Sequence, residues 1–198
     1  MSGENSELGS LGYDRGHAMM GMMSRSGSLS GPVKLASLAV TGQSTETFDP
    51  VPLREPGPDL REQDITQRRE ITFTMAMGTM MQGGGGMRET MGFDGSSFDG
   101  DRIDQQVQAS TIEEWTITNP TEMDHPFHLH VWPMQVIEQS GTVLEQPTWR
   151  DVVNVPAGEQ VRMLVDFSPH VGRSVYHCHI LDHEDAGMMA TVDVTESA

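Results

Sequence analysis

Cysteine occurs once in the 198 residues, at Cys178, which excludes an internal disulfide framework and every cysteine-rich zinc module. Lysine is as scarce: Lys34 stands alone, and 12 basic side chains face 29 acidic ones for a formal charge of −17. That balance repels phosphate and disfavours sequence-independent nucleic-acid binding. A lysine-poor acidic surface fits a high-salt habitat, attraction of cations, or plain solubility, and does not choose among them. No apolar run nears the ~18 residues of a membrane span; the best is Leu35 to Val40. Met1 to Gly9 holds neither a basic region nor an apolar stretch, so no signal peptide is read there. Aliphatic, aromatic and sulfur residues make up only 36%, enough to fill one domain's core but not that of the whole chain.

Helical periodicity is also missing: no segment keeps a 3.6-residue period over ten residues. Residues 1–32 are rich in Gly, Ser and Met and read as flexible. Val33 to Val40 reads as a strand without an evident partner, and Asp49 to Asp59, with four prolines, as a stiff linker. From Glu70 the pattern changes, and Ile71, Phe73, Met75 and Met77 alternate with smaller residues as in a half-buried strand. Residues 78–95 break it as a Met/Gly-rich insertion. Strand signals follow at Glu114 to Thr118, Phe127 to Glu138 (interrupted near Pro133), Asp151 to Val155, Val161 to Phe167, Arg173 to Ile180 and Ala190 to Thr195. The predicted fold is all-β, a sandwich or barrel with Greek-key connections over 65–198, preceded by a partly ordered segment 1–64.

Six of the eight histidines fall in two clusters, HPFHLH (His125, His128, His130) and HCHILDH (His177, His179, His183 around Cys178). At this composition an HCHxxxH pattern arises by chance in roughly one chain in 10,000. Alternation along a strand sorts the clusters: His128 and His130 share one face, as do His177 and His179, while Cys178 points the other way with Tyr176 and Ile180. Pro126 is expected to free His125 from the strand so that it turns toward Cys178. His183 and Met188 are expected in a loop that Gly187 lets reverse. Two imidazoles, a thiolate and a weak thioether describe a blue-copper centre of His125, Cys178 and His183 with Met188 axial. Structural zinc would accept most of these ligands, although it rarely recruits methionine. A core-facing sulfur among ligands makes Cys178 a poor nucleophile. The four outward imidazoles then form a second, incomplete metal surface, joined covalently to Cys178.

EEWTITN before HPFHLH, WRDVVNV after it and HCHILDHEDAGMM near the end together resemble the last cupredoxin domain of the multicopper oxidases, from about Arg69 onward. Residues 33–69 resemble the end of a preceding domain and its linker. The resemblance implies type 1 copper on His125, Cys178, His183 and Met188, type 2 copper on His128, and the type 3 pair on His130, His177 and His179. It implies single electrons taken from a reducing substrate (a phenol, aromatic amine, bile pigment or metal ion) and O2 reduced to water at a trinuclear cluster. It also implies work outside the cytoplasm, in the periplasm, at the cell surface or secreted. The family's cluster takes eight histidines, half of them from two further His-x-His pairs, whereas only His17 and His170 remain here. A C-terminal fragment completed by missing N-terminal cupredoxin domains is therefore expected, or else a second copy meeting this one face to face. A stand-alone blue-copper carrier is the alternative, and methionine-based copper storage a third class.

Glu184 and Asp185, directly after His183, are candidates to relay the protons that oxygen chemistry consumes, beside the simpler reading as solvated loop carboxylates. Met80, Met81, Met87 and Met91, with Met19, Met20, Met22 and Met23, offer soft thioethers to Cu(I). Trp115 and Trp149 read as core packing rather than an electron path.

Overall fold

The computed structural model describes residues 5–11, 32–39, 57–77 and 89–196. The chain divides into two compact units, Met1–Pro58 and Asp59–Ala198. In the first, β1 (Asn5–Ser10) pairs antiparallel with β2 (Val33–Ala39), and Lys34 forms an ion pair with Glu7 across them. The strand at Val33 thus finds its partner inside the stretch expected to be flexible. Met19, Met20, Met22 and Met23, and most of the proline-rich linker, lie outside the described residues.

The second unit is a two-sheet sandwich. One sheet holds β4 (Glu89–Phe93), β3 (Ile65–Met77), β6 (Ile112–Thr118), β11 (Gln160–Asp166), β8 (Met134–Gln139) and β9 (Thr142–Arg150), in that order. The other runs β10 (Val152–Val155), β7 (His125–Leu129), β12 (Gly172–Cys178), β13 (Met189–Thr195) and β5 (Gln105–Gln108). Alternation puts Ile71 and Phe73 of one sheet against Phe127, Tyr176 and Val192 of the other, with Trp115 and Phe167 in the same core. Burying such aromatics is the main favourable term, each worth about 1.5–3 kcal/mol. On the other face of the six-stranded sheet, Leu60 joins Ile137 and Leu164 in a smaller cluster. Trp115 lies in the core, its indole Nε1 donating to buried Glu113, which Arg69 holds bidentately at 2.6 and 2.9 Å.

Several local features differ from expectation. The apolar stretch Phe127 to Glu138 is two strands, one in each sheet, and the chain changes sheets at Val131–Pro133. The strand expected from Glu70 begins at Ile65 and pairs in parallel with β6. Glu89–Phe93, placed in the insertion, is a strand against β3 that buries Met91 and Phe93. Residues 78–88, with Met80, Met81 and Met87, lie outside the described residues. β5 and β9 escaped prediction because they are sheet edges without a fully buried face: β5 has a single apolar residue, Val107, and β9 carries Pro147.

Candidate metal centre

The register of two neighbouring strands builds the site. β12 runs antiparallel to β7 with Cys178 opposite Phe127 and His177 opposite His128. Cys178 therefore faces the core at the end of its strand. His125, two residues before Phe127 on the same face, reaches the same end of the sheet. Contrary to the expectation at Pro126, His125 is not released from the strand: it opens β7 and pairs with Val155 of β10. Plain alternation, His125–Phe127–Leu129, turns it inward.

After Cys178 the chain enters a one-and-a-half-turn helix, α1 (Leu181–Asp185), where a loop was expected. Five residues are too few to show a helical period in sequence. The helix carries His183 back over the sulfur. Gly187, at φ +104°, then reverses the chain, and a side chain there would meet Ser97 and the Met91 carbonyl. Cys178 N–H donates to the Met188 carbonyl at 3.0 Å, so the buried Met188 lies beside the sulfur-bearing residue.

The ligand atoms converge. Cys178 Sγ lies 3.6 Å from His125 Nδ1 and 3.5 Å from His183 Nδ1, and the two nitrogens are 3.2 Å apart. A point equidistant from such a triangle is about 2 Å from each corner, near metal–imidazole bonds of about 2.0–2.1 Å and metal–thiolate bonds of about 2.3 Å. The donor set, two imidazoles and a thiolate with a thioether adjacent, fits copper. All three residues are buried, which excludes water, and Phe73 stacks on the His125 ring at 4.8 Å. Burial, reinforced by the neighbouring His183 and opposed by Asp124, lowers the His125 pKa to about 4, so its ring is neutral near pH 7.

A second cluster stands on the opposite sheet face. His128, His130 and His177 bring ligand atoms within 4.8 Å of one another. His128 Nδ1 donates to the Asp151 carbonyl at 2.6 Å, and His177 Nδ1 to the Cys178 carbonyl at 3.0 Å. A carbonyl only accepts, so both rings keep the lone pair on Nε2. His130 Nε2 is 2.9 Å from His177 Nε2, and burial followed by its histidine neighbours lowers the His130 pKa. His177 is buried although it leaves the core side, with Glu184 Oε2 3.3 Å from its Nδ1. His179 lies just past the strand and is exposed, its ring 5.4 Å from that of His128 and 5.6 Å from that of His177. It is adjacent to the triplet rather than within it. Of the methionines proposed for Cu(I), Met91 is buried in the core.

Sequence reasoning missed Thr121, Asn119 and Phe73. Thr121 Oγ1 is 2.9 Å from His125 Nε2, and Asn119 binds Thr121 in turn. The only hint was their position just ahead of HPFHLH.

The strand order and core define a cupredoxin-type domain, and His125, Cys178 and His183 form a buried donor triplet that could hold a metal ion. The chain belongs to the multicopper oxidase family, whose sequence model, described as Multicopper oxidase, matches residues 64–198. It is 30% identical to a laccase of Bacillus stratosphericus over 175 residues, covering 78% of this chain and 32% of that protein. A laccase of Haloferax volcanii is 34% identical over 147 residues, 71% of this chain and 24% of the relative. Among solved structures, a multicopper oxidase of Campylobacter jejuni described as a metallo-oxidase superposes with TM-score 0.69 at 26% identity, covering all of this chain and 42% of that one. A laccase of Pediococcus acidilactici gives TM-score 0.60 at 32% identity over 77% of this chain and 32% of its own. The chain thus spans a third or less of the length of these curated relatives. Among the described residues no helix is long and apolar enough to cross a membrane.

Proposed function

We propose that residues 65–198 are the electron-accepting C-terminal domain of a multicopper oxidase, with 1–64 as the end of a preceding domain and its linker. The observation that carries this reading is the pairing of the buried triangle with the imidazole cluster through a single strand: Cys178 belongs to the first, and its neighbour His177 to the second. His125, Cys178, His183 and Met188 would hold type 1 copper, His128 type 2, and His130, His177 and His179 the type 3 pair. Copper bound in these places supplies one-electron cycling between Cu(I) and Cu(II) and, at the cluster, reduction of O2 to water.

The residues' own contributions follow from their positions. The closed core around Cys178 keeps water from the sulfur and holds the triangle rigid, so little rearrangement accompanies a change of charge. Residues 177–179 supply a covalent route from one site to the other. Glu184, whose Oε2 lies 3.3 Å from His177 Nδ1, would serve as a proton relay beside the imidazole face. A stand-alone electron carrier has no use for that face.

Completion of the cluster requires further histidines, from N-terminal cupredoxin domains or from a second copy of this chain. The reducing substrate is a small molecule or metal ion, and the family points to work outside the cytoplasm. Copper content per chain, measured together with mass in solution, tests the proposal. A visible blue band with about one tightly held copper in a monomer fits a domain awaiting its complement. Several coppers with oxygen consumption in a dimer fit self-completion. Absence of a blue band on copper loading refutes the type 1 assignment.

A further inference from the structure

We propose that Thr121 is a positioning residue that fixes the tautomer and orientation of His125, aiming the Nδ1 lone pair at the metal position; the inference rests on the assignment of His125 as a ligand.

Asn119 is fully buried, and its Nδ2 faces three carbonyl oxygens, those of Met123, Val155 and Pro156, at 2.8, 2.9 and 3.1 Å. A carbonyl cannot donate, so the amide has one sensible orientation, with Oδ1 turned toward Thr121. Asn119 Oδ1 accepts from Thr121 N–H at 3.1 Å and lies 2.7 Å from Thr121 Oγ1; the Met123 carbonyl is 3.0 Å from the same hydroxyl. Both oxygens only accept, so the single hydroxyl proton is committed to them. What Thr121 has left for His125 Nε2, 2.9 Å away, is a lone pair. Nε2 must then be the N–H, and in a neutral imidazole Nδ1 carries the lone pair.

Nδ1 is the atom that faces Cys178 Sγ and His183 Nδ1. Asn119 and Thr121 therefore act through His125 rather than on any substrate. Ligating histidines commonly donate their second N–H to an acceptor, which raises the basicity of the other nitrogen. Removing that acceptor makes His125 a poorer donor to Cu(II) and raises the reduction potential. It also strands a buried N–H.

The test uses wild type, Thr121→Val and Thr121→Ser. Long-range proton–nitrogen NMR of the metal-free chain, labelled at histidine nitrogen, reads the tautomer without any copper. The expected result is His125 protonated at Nε2 in wild type and Thr121→Ser; protonation at Nδ1 overturns the inference. In copper-loaded protein, the chelator concentration that bleaches the Cys178-dependent visible band should fall about 10- to 100-fold in Thr121→Val and stay near wild type in Thr121→Ser. Equal retention in all three proteins overturns the positioning role, since a merely structural hydroxyl would change melting temperature alone. If Thr121→Val does not fold, the wild-type tautomer and the Thr121→Ser titration still decide. A wild type without a visible band would instead refute the copper-site reading, and the tautomer measurement would stand apart from that failure.

Discussion

His125 Nδ1 lies 3.6 Å from Cys178 Sγ although 53 residues separate the two along the chain. The meeting follows from the antiparallel register of β7 and β12, which sets Phe127 opposite Cys178 and leaves His125 at the same sheet end. Phe73, from the facing sheet, closes the site against the imidazole. The ligand geometry is thus a property of the packed core rather than of an exposed loop.

Cys178→Ser replaces the soft thiolate by a hydroxyl. Copper-loaded protein is expected to lose its intense visible absorption and its electron entry. Survival of that absorption in the variant's spectrum would contradict a sulfur ligand at 178.

Met188→Leu keeps the apolar volume and removes the weak axial donor. Copper is expected to remain bound with its reduction potential raised, since the thioether favours Cu(II). Redox titration of the visible band gives the sign, and a fall would count against Met188 as a ligand.

His128→Ala acts on the other face of the sheet. The blue absorption should persist while any type 2 electron paramagnetic resonance signal disappears. Loss of both signals would mean that the two clusters are not separate sites.

The metal-free chain should be acid-sensitive through His125, whose pKa is lowered to about 4 from 6.5, chiefly by burial. Between those values the unfolded chain binds a proton that the folded chain refuses, so stability falls as pH drops through that window. The loss is on the order of 3 kcal/mol at the acid end. Urea melts of the metal-free protein across this range check it, and His125→Gln should flatten the dependence.

Val131 sits at φ +75°, a conformation that a β-branched residue rarely adopts, in a one-residue turn closed by Trp132 N–H on the His130 carbonyl at 3.0 Å. The turn drives Trp132 into the core and leaves His130 exposed on the outer face. Val131→Gly relieves the strain and should raise stability by about 1 kcal/mol, read by thermal melting. A lower melting temperature would show that the valine side chain contributes more than its backbone costs.

Much of the site was legible before folding was considered. Alternation assigned Cys178 to the core and His128, His130 and His177 to the opposite face, because it depends only on neighbouring residues within one strand. It failed where a short element or an edge carries little pattern. The helix that brings His183 home spans five residues, and β5 and β9 have no fully buried face to reveal them. Pro126 misled for a related reason. Its missing N–H matters only if a neighbour needs it, whereas its carbonyl accepts from His179 and the strand continues.

The order of residues alone decided the donor chemistry and the side of the strand from which each donor projects, since both are local. The 3.2–3.6 Å triangle, the burial of His177 beneath its neighbours and the Asn119–Thr121 support of His125 required the folded chain. Distances between residues far apart in sequence arise from strand register and sheet packing, which no short stretch of residues contains.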